Sequence, residues 1–187
     1  MVKRIAAFVA LLIFSGLGSI PANANNSPAS DRVDTAALPY EHIADLRSGP
    51  GESLHAFLRR IAPQLRAYSD KTGFEACGII GTDGHGGFGV VLGSSHSHIG
   101  CANDPAREID GMTSTGETIH SHGRQGLRIR ANAADVIMMG SPIDPPRYMG
   151  GFDLMRFSDA DFAHPGYLAT PSGLLYQAGE TAVSAVQ

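Results

Sequence analysis

The 187-residue sequence has no apolar run long enough to cross a bilayer, no basic excess, no internal repeat and only two cysteines. Each absence excludes something. A spanning helix needs about 20 consecutive apolar residues, and the run Ile5 to Phe14 falls well short of that. The formal charge is −4, so no field over the whole chain attracts nucleic acid or anionic lipid. The glycines around His85 lack the spacing and the following lysine of a phosphate-binding loop, so they mark a turn. What remains is chain enough for one domain with one core.

The N-terminus carries the three parts of a secretory signal: Lys3 and Arg4, then the apolar run Ile5 to Phe14, then Ala22-Asn23-Ala24. Residues 1–24 are expected to be cleaved after Ala24. The mature chain is then periplasmic or secreted, with no stable membrane insertion. Export places Cys77 and Cys101 in an oxidising compartment, where a disulfide between them would stabilise the fold by about 3 kcal/mol. Two small buried thiols are the other reading. Sequence does not show proximity, and both readings stand.

Residues 25–50, rich in Asn, Ser, Pro, Asp and Ala, show no sustained apolar period and read as a flexible lead-in. The domain is expected over 51–187. Leu54, Phe57, Leu58, Ile61, Leu65 and Tyr68 recur at helical spacing, with a kink or break expected near Ala62 because Pro63 removes a backbone donor. Gly73 is placed to stop the helix. Phe74 to Ile80 and Phe88 to Leu92 read as a β-hairpin around the turn 82–87, and Glu117 to His120 as a further strand. Ala131 to Met139 fits strand or helix equally, and Ser141 to Pro146 fits only a loop. Gly166 to Thr170 and Leu174 to Gln177 form a second hairpin around Pro171-Ser172-Gly173. The fold class is therefore α+β, with a mixed, largely antiparallel sheet and flanking helices.

His120 and His122 flank Ser121 at the end of a strand, where side chains two apart share a face. Two imidazoles can converge on one metal there. A hydrolytic zinc site needs a third protein ligand, and Ser158-Asp159-Ala160-Asp161 offers Asp161. Glu75, His120-Ser121-His122, Ser158 and Asp161 together resemble the motif of the JAB/MPN metallopeptidases, the JAMM group: an upstream Glu, then H-x-H, then S-x-x-D. The resemblance covers roughly residues 51–177 and extends to the helix before Glu75 and the closing hairpin, as in a secreted, toxin-associated bacterial branch. Two features depart from the pattern. Gly123 stands where the family has a Pro, and Gly123 to Phe157 is a long insertion before Ser158.

The resemblance implies a JAB/MPN-like (cytidine-deaminase-like) single domain with Zn²⁺ on His120, His122 and Asp161. It implies Glu75 as the proton-transferring base and Ser158 as a donor to the oxyanion. The implied reaction is hydrolysis of a peptide or isopeptide bond in a peptide or protein substrate, on cell-wall peptides or as a secreted effector. A non-catalytic binding module on the same framework is the rival reading. Asp135, Asp144 and Asp153 in the insertion are alternative ligands. A second triplet, His96-Ser97-His98, reads as a surface loop, with an accessory metal contact as the other reading, and His85 and His164 read as solvated.

Overall fold

The computed structural model describes residues 35–125, 128–140, 148–149, 153–179 and 182–187. The signal segment, residues 25–34, the expected loop Ser141 to Pro146 and Asp144 lie outside them. In chain order the strands are β1 (Glu41–Arg47), β2 (Ala76–Thr82), β3 (Phe88–Ser94), β4 (Thr113–Ser121), β5 (Ile129–Arg130), β6 (Tyr148–Met149), β7 (Gly166–Thr170), β8 (Gly173–Gln177) and β9 (Val183–Ala185). The helices are α1 (Leu54–Thr72) and α2 (Ala133–Met138), with short 3-10 turns at Thr35–Ala37 and Asp159–Ala163.

Seven strands form one sheet in the order β1-β3-β2-β4-β7-β8-β9. All pairings are antiparallel except β4 with β7, so the sheet is mixed and the class α+β. Strands β5 and β6 make a separate two-stranded ladder. All described residues fall in one compact unit.

Helix α1 lies on one face of the sheet because its apolar stripe has nowhere else to go. Phe57, Leu58, Ile61 and Leu65 are fully buried against Ile80, Val90, Leu92, Ile119 and Leu174. Each such side chain contributes about 1.5–3 kcal/mol by burial. Ser53 caps the helix start through the Ala56 N–H, and Gly73, at φ 86°, ends it with its N–H on Ser69 O. The expected break at Pro63 does not occur. Pro63 sits on the exposed side of a continuous helix, so the packed stripe holds both halves to the sheet across the lost hydrogen bond.

Both expected hairpins form, the first with strands that run on to Thr82 and Ser94. The lead-in expectation is corrected at its C-terminal end: Glu41–Arg47 is the edge strand β1, paired with β3. A register irregularity between His42 and Ala44 breaks the alternation that would have marked it. The undecided segment after Ala131 is helical, capped by a reciprocal pair between Asn132 and Asp135.

Candidate metal centre

Strand alternation sets the site on the face of the sheet away from α1. In β4, Ile119 joins the core and Ser121 Oγ lies 2.7 Å from Ser69 Oγ of the helix. His120 between them and Thr118 before them point the other way. Thr118 and His120 line a cleft of about 290 Å³, together with Glu75, His122, Ser158 and Asp161. The chain closes over this face through the disulfide Cys77–Cys101, a loop of sequence separation 24. Cys77 pairs in register with His120, so the bridge anchors the cleft wall beside the first imidazole.

His120, His122 and Asp161 bring one ligand atom each to within 4.8 Å of one another, the one such group among the described residues. His120 Nε2 lies 3.4 Å from Asp161 Oδ1, and His122 Nε2 lies 3.3 Å from Asp161 Oδ2. The long stretch after His122 does not separate them. Ser158 and Asp161 form a capping box at the 3-10 turn: the Ser158 N–H and Oγ–H both donate to Asp161 Oδ2, at 2.6 and 2.8 Å. That fixes the carboxylate's direction. Burial opposes its charge, but the two imidazoles and Ser158 outweigh this and hold Asp161 well below the usual carboxylate range.

His122 Nδ1 lies 2.8 Å from the Asp153 carbonyl oxygen. Donation there leaves Nε2 as the basic nitrogen that faces Asp161, the orienting arrangement metal-bound histidines use. Burial opposes protonation of His122, yet Asp161, Glu75 and the Asp153 carbonyl raise its pKa. From behind, Arg66 of α1, itself buried, donates from Nη1 to His122 O at 2.6 Å and from Nη2 to Asp70. Gln177, also buried, donates from Nε2 to Asp161 O and His164 O at 2.7 and 2.6 Å, tying the 3-10 turn to β8.

The donor set fits a divalent cation. His120 Nε2 is buried with no hydrogen-bond partner, since its approach to Asp161 lacks bonding geometry. Such an atom costs about 1–3 kcal/mol. Two imidazoles and a carboxylate are a ligand set that divalent transition metals accept.

Glu75 lines the cleft immediately before β2 and is buried, at 5% exposure. Desolvation pushes its pKa up to about 8, against the opposing charge of His122, with Asp161 adding to the rise and the Gly123 N–H countering it. Without a cation beside it, Glu75 is therefore mainly neutral at pH 7.

Several residues behave differently from what the sequence suggests. The Ser158 hydroxyl proton is spent on Asp161. Asp135 is no spare ligand: fully buried, it accepts from Ser97 Oγ and His98 N and pairs with His98 Nδ1, at 2.7 to 2.8 Å. Asp153 serves through its carbonyl, while its carboxylate faces Met155 N and Arg156. His96-Ser97-His98 is thereby corrected from a plain surface loop to a braced one, with Ser97 fully buried and His96 held at φ 56° by contacts to Glu41 and Asn132. His164 is exposed as expected but lies on the cleft wall. Gly123 has no room for a side chain: a Cβ there would meet Gly73 O at 2.4 Å and His98 O at 2.9 Å.

Arg66 and Gln177 were not singled out by the sequence, and Asp135 was named only as an alternative ligand. Arg66 and Ser69 interrupt the apolar face of α1, and that interruption was the available signal. No family model matches the chain, and no curated protein or solved structure matches it.

Proposed function

We propose that this chain is an exported zinc-dependent hydrolase of the JAB/MPN type that cleaves a peptide or isopeptide bond. The observation that carries the proposal is the meeting of His122 and Asp161, 39 positions apart, with His120 in one cleft that Glu75 also lines. Zinc, when bound, supplies Lewis-acid polarisation and a more acidic water. The chain's own residues do the rest. Glu75 accepts a proton from the attacking water and returns it to the leaving amine, as a buried carboxylate with a raised pKa is suited to do. A positive charge at the three ligands opposes the desolvation that keeps Glu75 neutral, so loading and base strength are coupled. Asp161 is aimed by Ser158, and His122 by the Asp153 carbonyl and Arg66. Donation from Ser158 to an oxyanion requires its bond to Asp161 to exchange.

That committed hydroxyl is also the observation that favours the rival reading, a secreted binding module with a structural metal and no turnover. The test is the zinc content and hydrolytic activity of the mature protein, the His120→Ala/His122→Ala double variant and Glu75→Gln. The enzyme reading expects zinc in the parent, zinc lost from the double variant, and zinc without hydrolysis in Glu75→Gln. Zinc retained by Glu75→Gln with hydrolysis undiminished removes Glu75 from its role. A parent that binds zinc and hydrolyses no peptide, isopeptide or muropeptide offered supports the binding module.

A further inference from the structure

A second cavity of about 300 Å³ adjoins the cleft, and Asn103 lines both. Its walls include Leu38, Pro39, Tyr40, Ala102, Asp104 and Arg107. Arg107 is held there in three layers. Gly93 of β3 has no side chain, and a Cβ at that position would sit 2.3 Å from the Tyr40 ring. The bare backbone admits the ring, and the Arg107 guanidinium carbon lies 3.4 Å from the ring centroid. Arg107 Nε donates to Asp104 Oδ2 at 3.0 Å, while Asp104 Oδ1 accepts from the Ala106 N–H. The second carboxylate oxygen is thus used within the loop.

A half-exposed arginine ordinarily keeps its rotamer freedom. Here a stacked aromatic and a carboxylate remove that freedom, yet its two Nη groups make no hydrogen bond among the described residues. Two parallel N–H donors on a fixed planar head match a carboxylate. The disulfide at Cys101 anchors the start of the same segment.

We propose that this second cavity is a substrate subsite, in which Arg107 binds a carboxylate of a peptide whose scissile bond lies in the first cleft. The proposal rests on the hydrolase reading for the position of that bond, and on the geometry alone for the carboxylate. The carboxylate belongs either to an acidic side chain or to a free C-terminus, and both have the same chemistry.

The experiment measures binding by fluorescence anisotropy to zinc-loaded Glu75→Gln protein, so no turnover is needed. Four N-terminally labelled probes are used: pentaalanine as the acid and as the amide, and the amides of Ala-Ala-Glu-Ala-Ala and Ala-Ala-Gln-Ala-Ala. At least one carboxylate-bearing probe is expected to bind about tenfold tighter than its neutral counterpart. The Glu/Gln pair reports a side chain, and the acid/amide pair a C-terminus. Adding Arg107→Gln is expected to abolish the preference while metal content and Tm stay unchanged; Arg107→Lys is expected to restore only part of it. Equal binding of acidic and neutral probes overturns the proposal. So does no binding of any probe, or a preference that survives Arg107→Gln. An Arg107-dependent preference in a protein that hydrolyses nothing would leave the subsite standing and remove the hydrolase reading.

Discussion

Glu75 makes the stability of the metal-free protein depend on pH, with a sign opposite to that of most carboxylates. Its pKa rises from 4.5 to about 8 on folding, first because burial removes the carboxylate from water. Between those values the folded state binds a proton that the unfolded state has released, so stability falls as pH rises. The window is pH 4.5 to 8. At 1.36 kcal/mol per pKa unit the loss above pH 8 reaches at most about 5 kcal/mol, a large share of the stability of an ordinary domain. Glu75→Gln keeps the shape and removes the titration. In EDTA-treated protein, denaturant unfolding at several pH values from 4.5 to 8.5 is therefore expected to show the variant gaining on the parent by a few kcal/mol. Taking the difference between the two proteins cancels the titrating groups that do not interact with Glu75, and leaves Glu75 with its coupling to His122 and Asp161. Parallel pH profiles would refute the reasoning, because Glu75 would then have the same proton affinity folded and unfolded.

Three further outcomes follow from contacts around the cleft. Cys101→Ser, which opens the bridge to Cys77, is expected to cost about 3 kcal/mol in chemical denaturation; a cost near zero would show that the loop is closed by its other contacts. Gly123→Ala forces a methyl against two backbone oxygens, and a loss of about 2 kcal/mol or more is expected, with unchanged Tm contradicting it. Asp135→Asn weakens the charged contacts to Ser97, His98 and Asn132. It should lower stability by about 3 kcal/mol, and hydrogen exchange at residues 96–98 should rise; unaltered protection there would count against the brace.

The elements legible in the sequence were those with strong local signals. The apolar stripe of α1, its Gly73 stop and both hairpins needed only periodicity and turn chemistry. Strand β1 was not legible, because a register irregularity and alternating charges left only Ile43 and Leu46 to mark it. Pro63 misled because its position on the exposed side becomes meaningful only once the packed stripe is known. At the site, ligand-type residues were visible as His120, His122 and Asp161, whereas their supports were not. The Asp153 carbonyl, the Arg66 guanidinium and the Gln177 amide act through backbone atoms far away in sequence, and no residue type announces such a contact. Ser158 was visible as a polar residue three before Asp161, but whether its proton serves a carboxylate or a substrate depends on an angle that only coordinates give.

The central claim is that one metal is held by two imidazoles and one carboxylate from distant parts of the chain. X-ray absorption at the zinc edge of the zinc-loaded mature protein tests it most directly. Two imidazole nitrogens and oxygen donors at about 2.0–2.2 Å are expected, with the imidazole scattering lost in the His120→Ala/His122→Ala variant. Zinc whose first shell contains no imidazole, or is unchanged in that variant, would contradict it.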